Sequence, residues 1–581
     1  MSIGSRQTLL CFLSLLLTCI LNQFAYCDED VSRDVRDRFG TPDNGSRVVV
    51  GLKTSKCSIC HGKAISAASE ELPSDVQGRG NDGWILGDEL LTWVRDDFHY
   101  QAFSVLLNDQ SRQMAKRLGI VDANGESAVH QDRRCLSCHA SIPVTQMSLD
   151  GDRVTHDTST DSRYTIGVSC EACHGPSGRK GDGPSGWEEA HVVDTRWRTM
   201  NPKTKFEDFG YWDIHSPRTQ TRICLSCHMG NVEQKKVITH EMYAAGHPPL
   251  PSFELSQFIN QMPRHWRRLE EKPKSLRENV IEKLTQLRQD GDFFVIGDTE
   301  LAATKLTMIS ALVTLEESMT LTANLIADSA TSQQWPELAN YSCFACHHEL
   351  SRDGWRKKTR LSKFPGRPTL HEWPFALSRV VATEIINDQT EPAFQENLNA
   401  MITAMTARPY GDSTQLKLTA RALAKAIEAE TKILGSMTID RERANRFLTQ
   451  IALAASTEST DYDSARQFVW AYERTFDALN KPEISTDFAV TQEQTKSPQK
   501  WIGGHPILDE FEQDLVLWLR ANRTKEPSVK LGSNKEAFQH SQRSTNVSES
   551  LKKIAEYNPQ KTNERFQRLL KSHVNPTEQI R

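Results

Sequence analysis

Beyond its N-terminal region the chain has no cysteine outside a repeated pattern and no long apolar run, and it carries no excess of positive charge. Of its 13 cysteines, Cys11, Cys19 and Cys27 lie at the N-terminus, and the other ten all stand in pairs separated by two residues. Lys and Arg number 70 against 75 Asp and Glu, a formal charge of −5, so the basic field that nucleic acid requires is missing. The hydrophobic fraction is 38%, short of the usual range of about 45–50%, which also counts Gly. Something other than aliphatic packing is expected to fill part of the interior.

The apolar run from Leu9 to Leu21 follows Arg6 and precedes Ala25-Tyr26-Cys27 and the acidic Asp28-Glu29-Asp30. This order of basic, apolar and small-residue regions reads as a secretory signal over residues 1–27. The run is shorter than the roughly 20 residues a membrane-spanning helix needs, and no later stretch is apolar enough to span. The expectation is a periplasmic or otherwise exported protein, at most peripheral to a membrane. With 581 residues, a prior of about 150 per domain allows roughly three or four domains.

Each cysteine pair is followed at once by histidine: Cys57-Ser-Ile-Cys60-His61, Cys135-Leu-Ser-Cys138-His139, Cys170-Glu-Ala-Cys173-His174, Cys224-Leu-Ser-Cys227-His228 and Cys343-Phe-Ala-Cys346-His347. That spacing suits haem c. Two thiols add to the porphyrin vinyl groups, and the next residue places an imidazole on the iron from the same side. A Cys₄ zinc site or disulfides would not need the histidine. A thioredoxin-type dithiol occurs singly beside a βαβ pattern that is not found here. Five repetitions that use every cysteine beyond the N-terminal region favour five covalently bound haem c groups.

Low-spin haem iron takes a sixth ligand on its opposite face, in packed multihaem proteins usually a second histidine. Up to residue 371 the histidines outside the motifs are His99, His130, His156, His191, His215, His240, His247, His265, His348 and His371. A lone histidine is ordinarily a surface or hydrogen-bonded residue, so local context has to select among them. His99 stands beside a helical stripe of positions 94, 98, 102 and 106. Gly246 and Pro248-Pro249 hold His247 on a rigid turn. His191 closes a short ordered segment after a glycine-rich loop. His348 follows His347 directly, so it can reach only a neighbouring iron. These four and His240 are the expected distal ligands.

Gly167-Val-Ser-Cys170-Glu-Ala-Cys173-His174-Gly-Pro176, together with His240-Glu-Met-Tyr-Ala-Ala-Gly-His247-Pro, resembles the cytochrome c-554 family of multihaem cytochromes, relatives of hydroxylamine oxidoreductase and pentahaem nitrite reductase. The stretch from Trp93 to Leu106 resembles that family's distal-histidine segment. The resemblance spans roughly residues 50–350. It implies a mostly helical fold with haems in stacked and perpendicular pairs, and distal roles for His99, His191 and His247. The CxxCK motif of ammonia-forming nitrite reductases is absent, and the fifth motif exceeds the four of the tetrahaem type.

Residues 28–350 read as a pentahaem cytochrome c domain. The 94 residues from Cys135 to His228 carry three motifs, too few for separate cores, so those haems are expected to share one. Leu276, Val280, Leu284 and Leu287 form a helical stripe ended by Asp290-Gly291-Asp292, and Met308, Leu312, Leu315 and Met319 form another, with methionine in a core role. Residues 351–523 read as a helical domain. Its stripes are Leu416, Leu423, Ile427 and Leu434, closed by Gly435; Phe468, Tyr472, Phe476 and Leu479, capped by Asp463 or Ser464; and Leu508, Phe511, Leu515 and Trp518. Residues 524–581 read as a polar, partly disordered tail. The fold class is mainly α, a multihaem cytochrome c core with few or no strands followed by a C-terminal helical domain.

Bis-histidine iron changes geometry little between oxidation states, and close haems in a low-dielectric interior exchange electrons readily. An electron carrier between redox-protein partners is therefore favoured. Two alternatives stand beside it: an oxidoreductase acting on nitrite or hydroxylamine at one five-coordinate haem, and a haem-bearing docking subunit of a larger redox complex. No residue is singled out as catalytic.

Overall fold

The structure, a computed structural model, describes residues 49, 57, 61–62, 83–178, 185–268, 271–289, 301–332, 335–347, 367–385, 391–457, 460–480, 506–517 and 552–574. Residues 1–27, Cys60, His348, Asp290 and Trp518 lie outside them.

The fold is mainly α, and the motif-bearing part is built of short helices: α1 Glu89–Asp96, α2 Asp109–Leu118, α3 Arg133–His139, α4 Cys170–His174, α5 Trp187–Val193, α6 Pro217–His228, α7 His240–Ala245 and α8 Leu255–Gln261. Helices of this length are marginal on their own, so their ends carry weight. The Asn108 side chain accepts from Ser111 N at the start of α2, Asp132 from Arg134 N at α3, Ser216 from Thr219 N at α6, and Thr239 from Met242 N at α7. Each such cap is worth about 1 kcal/mol. Among the described residues the sheet is one antiparallel pair, β1 Leu149–Asp150 and β2 Arg153–Val154, with Leu149 opposite Val154.

The helical stripe through His99 is broken. Asp97 is extended at φ −92° and ψ 127° and ends α1, and its carboxylate accepts from His99 N to start a 3-10 turn over Phe98–Gln101. The apolar period continued, but a capping aspartate offered the backbone a competing partner.

The second half gathers around one long helix, α9 Ala302–Ser332, in which Met308, Leu312, Leu315 and Met319 are fully buried. Full burial of such a side chain contributes about 1.5–3 kcal/mol. Around it pack α10 Trp373–Ile385, α12 Ser413–Ser436 and α14 Tyr462–Asn480, with α11 Glu391–Thr406 and α13 Arg441–Thr457 outside them. The same apolar cluster takes in Leu225 of α6 and Phe253. Described residues before 348 and after 366 thus share one apolar cluster.

Helix α6 is tied to α9 by buried charge as well. Arg218 Nη2 lies 2.7 Å from Glu316 Oε1, Arg222 Nη2 lies 2.5 Å from the same oxygen, and Arg222 Nε lies 2.7 Å from Glu317 Oε1.

Three local expectations change. Gly435 lies inside α12, where its carbonyl accepts from Lys305 Nζ at 3.0 Å, and the helix runs on to Ser436. A buried lysine holding the carbonyl explains how a glycine is kept helical there. Helix α14 is capped by Asp461, whose Oδ1 accepts from Ser464 N at 2.8 Å, two residues before the expected cap. Within the segment read as a polar tail, Pro559–Val574 forms a helix (numbered α16, after α15 Pro506–Phe511), with Phe566 and Leu569 fully buried against the core. A few apolar residues spaced for one helix face suffice for docking.

Candidate functional site

The described motif residues lie on helical turns or at their ends. Helices α3 and α6 end on theirs, α4 is the third motif itself, Cys57 and His61 are helical, and Cys343–Ala345 form a 3-10 turn. A spacing of three residues on a helix brings two side chains to one face, with the following histidine beside the first cysteine. This is the disposition that a planar group attached at two points and ligated from one side requires.

Helix α4 is held against the His99 turn at closest approach. Val168 N donates to His99 O at 2.9 Å. At Gly167, φ is +69°, and a Cβ there would stand 2.5 Å from the same oxygen, so only glycine fits.

A cavity of about 1160 Å³ runs between the second, third and fourth motifs, lined among others by Cys135, Cys138, His139, Cys173, Cys224, Cys227 and His228, and by His99 and His247. It exceeds the roughly 300–1,000 Å³ of ordinary small-molecule sites. Burial pushes the thiols of Cys135, Cys170, Cys173 and Cys224 up to about 12. Thiolate-bound zinc needs the opposite shift, so this donor set fits covalent attachment of a large apolar group better than a bare metal ion.

The histidines meet in twos. Rings of His61 and His191 lie 6.4 Å apart between centroids and 25° from parallel, His240 and His347 are 6.4 Å apart at 22°, and His99 and His228 are 6.4 Å apart at 88°. Two imidazoles bound to one metal ion from opposite sides, each nitrogen about 2 Å from it, have centroids roughly 6 Å apart. His247 neighbours His139, and His265 neighbours His174; burial first, and then this proximity, lowers the first to about 4 and His174 to about 3. Burial likewise lowers His228 to about 4 and holds His191 and His265 below the usual imidazole value. These rings are neutral at pH 7, the form that binds metal.

Hydrogen bonds to Nδ1 fix the tautomer. His139 donates from Nδ1 to Ala102 O at 2.7 Å, His191 to Trp187 O at 2.7 Å, His247 to Pro248 O at 2.8 Å and His265 to Pro263 O at 3.2 Å. His174 Nδ1 lies 3.4 Å from the Tyr211 hydroxyl oxygen. His61 and His99 donate instead to carboxylates, Glu89 at 3.1 Å and Asp97 at 2.9 Å. With the proton on Nδ1, the lone pair stays on Nε2. Another candidate, His371, is engaged elsewhere, through Nε2 with Ala339 O at 3.0 Å, and His156 lies against Tyr164, its ring 5.6 Å away.

Of the expected distal residues, His99, His191, His240 and His247 each come beside a motif histidine, whereas His348 and Cys60 lie outside the described residues. His265 was not selected from the sequence. Pro263 precedes it in Met262-Pro263-Arg264-His265, the same rigid-backbone signal that marked His247.

Residues 88–175 match the family model described as cytochrome c554 and c-prime. No curated protein and no solved structure matches the chain. The matched stretch is shorter than the span of the resemblance, and it contains His99 and the second and third motifs. Over that segment the chain is similar to the cytochrome c554 family, whose members are c-type cytochromes with covalently bound haem.

Proposed function

We propose that the chain is an exported electron carrier with five haem c groups, attached at Cys57 and Cys60, Cys135 and Cys138, Cys170 and Cys173, Cys224 and Cys227, and Cys343 and Cys346. The observation that carries this reading is the set of paired imidazoles at 6.4 Å. In chain order of the motifs, the axial pairs are His61 with His191, His139 with His247, His174 with His265, His228 with His99, and His347 with His240. When bound, haem supplies a one-electron couple. The chain's part is to close both faces of each site, exclude water and keep each imidazole in one orientation.

Neighbouring motifs support an order of transfer. Cys57 stands within electrostatic reach of Cys170, as Cys173 does of Cys224 and Cys227, and Cys138 and Cys227 line the one cavity of the second, third and fourth motifs. The Tyr243 ring lies 6.1 Å from that of His247, tilted by 55°, and is within electrostatic reach of Cys343. The sequence of neighbours is then first, third, fourth, second and fifth motif. Cys343 and Cys346 are exposed, which puts the fifth site at the end where a partner redox protein can approach.

Among the described residues no helix is long and apolar enough to cross a membrane; export rests on the signal-like residues 1–27. The test is whole-protein mass and electron paramagnetic resonance of the purified holoprotein. Five haems with only low-spin ferric signals are expected. A high-spin signal that moves on adding nitrite or hydroxylamine would turn the reading to an oxidoreductase, and a mass short of five haems would end it.

A further inference from the structure

We infer that Glu89 and Asp97 are positioning residues that lower the reduction potentials of the first and fourth irons. The inference rests on the five-haem reading above. Among the paired histidines with a bonded Nδ1, four donate to backbone carbonyls and His174 meets the Tyr211 hydroxyl, whereas His61 and His99 stand apart in donating to carboxylates.

Both carboxylates are fixed in place. Glu89 opens α1, and its Oε1 accepts from Leu86 N at 2.7 Å while Oε2 takes the His61 proton. Asp97 is 3% exposed, and its Oδ1 accepts from both His99 N and His99 Nδ1 at 2.9 Å. Its Oδ2 is buried without a hydrogen-bond partner, and the residue borders the cavity of the second, third and fourth motifs. These are not flexible surface groups that meet an imidazole by chance.

A carbonyl accepts the Nδ1 proton as a neutral dipole. A carboxylate accepts it with a full charge, draws the proton away from the ring, and makes Nε2 a stronger donor to the iron. Oxidised iron carries one more positive charge than reduced iron, so both the stronger donor and the nearby negative charge favour the oxidised state. The potential falls. Electrons entering the array are thereby directed away from the sites of His61 and His99 and toward sites whose ligands donate to carbonyls.

A purely structural role for these residues makes a different prediction, because both also cap a turn. Asp97→Asn keeps the single oxygen that accepts both bonds and removes the charge, whereas Glu89→Gln keeps one acceptor oxygen for His61 and gives up the bond from Leu86 N along with the charge. The measurement is an optical redox titration of the holoprotein at pH 7, with haem content taken from mass and spin state from electron paramagnetic resonance. Five haems and low-spin irons are expected in both variants. One component of the titration should move to more positive potential in Glu89→Gln, and a different one in Asp97→Asn, with the remainder in place.

Unchanged potentials in a fully loaded variant would overturn the inference and leave the five-haem reading standing. Fewer than five haems in the parent protein would instead refute the reading itself. If a neutral variant fails to load haem, Glu89→Asp and Asp97→Glu decide. They retain charge, so their components should stay near the parent's, and a positive shift equal to that of an uncharged acceptor would overturn the inference. The exchange Glu207→Gln, at an exposed residue paired with Lys203, is the control and should leave every component in place.

Discussion

His240 and His347 face each other across 6.4 Å, 22° from parallel, and so join α7 to the most distant CxxCH motif. The same short helix ends at Gly246, whose φ of +115° lets the chain turn so that His247 reaches His139. One capped turn thus serves two motifs.

The fifth motif is separable from the rest. Cys343 and Cys346 are exposed, and the half-buried Phe344 between them packs against the helical core. The double variant Cys343→Ala with Cys346→Ala is expected to lose one haem by mass and keep four.

His265 offers a sharper check on the axial pairs. It is buried beside His174, and its Nδ1 is bonded to Pro263 O. His265→Ala should convert one iron from low to high spin and leave the others as they are. Electron paramagnetic resonance reads the outcome, and no change in spin count would remove His265 from the third pair.

Much of this was legible in the sequence, for reasons that differ between residues. The CxxCH motifs are local, so spacing alone states their chemistry. His99, His191 and His247 carried local marks of order, a stripe, a loop end or a proline. His240 and His265 are chosen by tertiary placement, and what distinguishes His265 from His371 is which ring nitrogen meets a carbonyl. Spacing along a chain carries no such information. The stripe of Met308, Leu312, Leu315 and Met319 was readable as core, yet its partners lie beyond residue 370, and a sequence does not say which stripes face each other. The docked helix Pro559–Val574 was hidden by its polar majority.

Stability should fall with rising pH through one buried carboxyl. Glu473 is 5% exposed, and burial raises it to about 8, while Gln257 Nε2 donates to its Oε2 at 3.3 Å. Unfolded, a glutamate titrates at about 4.3. Because the folded value lies above the unfolded one, the protonated side chain is at its best below about pH 4, and the contribution is progressively lost up to about pH 8. Glu473→Gln stays neutral throughout. Urea titrations between pH 5 and 9 should show the parent losing stability relative to this variant, and parallel curves would exclude the shift.

The buried ion group between α6 and α9 sets the anchoring of the fourth motif. Arg218 and Glu316 are 5% and 6% exposed in their side chains, and Arg222 shares the same glutamate. Removing one member of a buried group leaves charge without its partner, typically at a cost of about 3–5 kcal/mol. Here the loss is softened, since Arg218 also reaches Glu428 at 3.4 Å and Arg222 reaches Glu317 at 2.7 Å. Glu316→Ala should therefore cost about 3 kcal/mol, at the lower end of that range. Replacing Glu316, Arg218 and Arg222 together by apolar residues of similar volume should cost less than the single exchange, because no charge is then stranded. Helix α6 carries Cys224 to His228 on its last turns, while the network holds its first ones. Haem absorbance and far-ultraviolet circular dichroism, followed together in urea, should consequently shift to lower urea as one transition in Glu316→Ala, whereas separate transitions would show that the motif is anchored independently of α9.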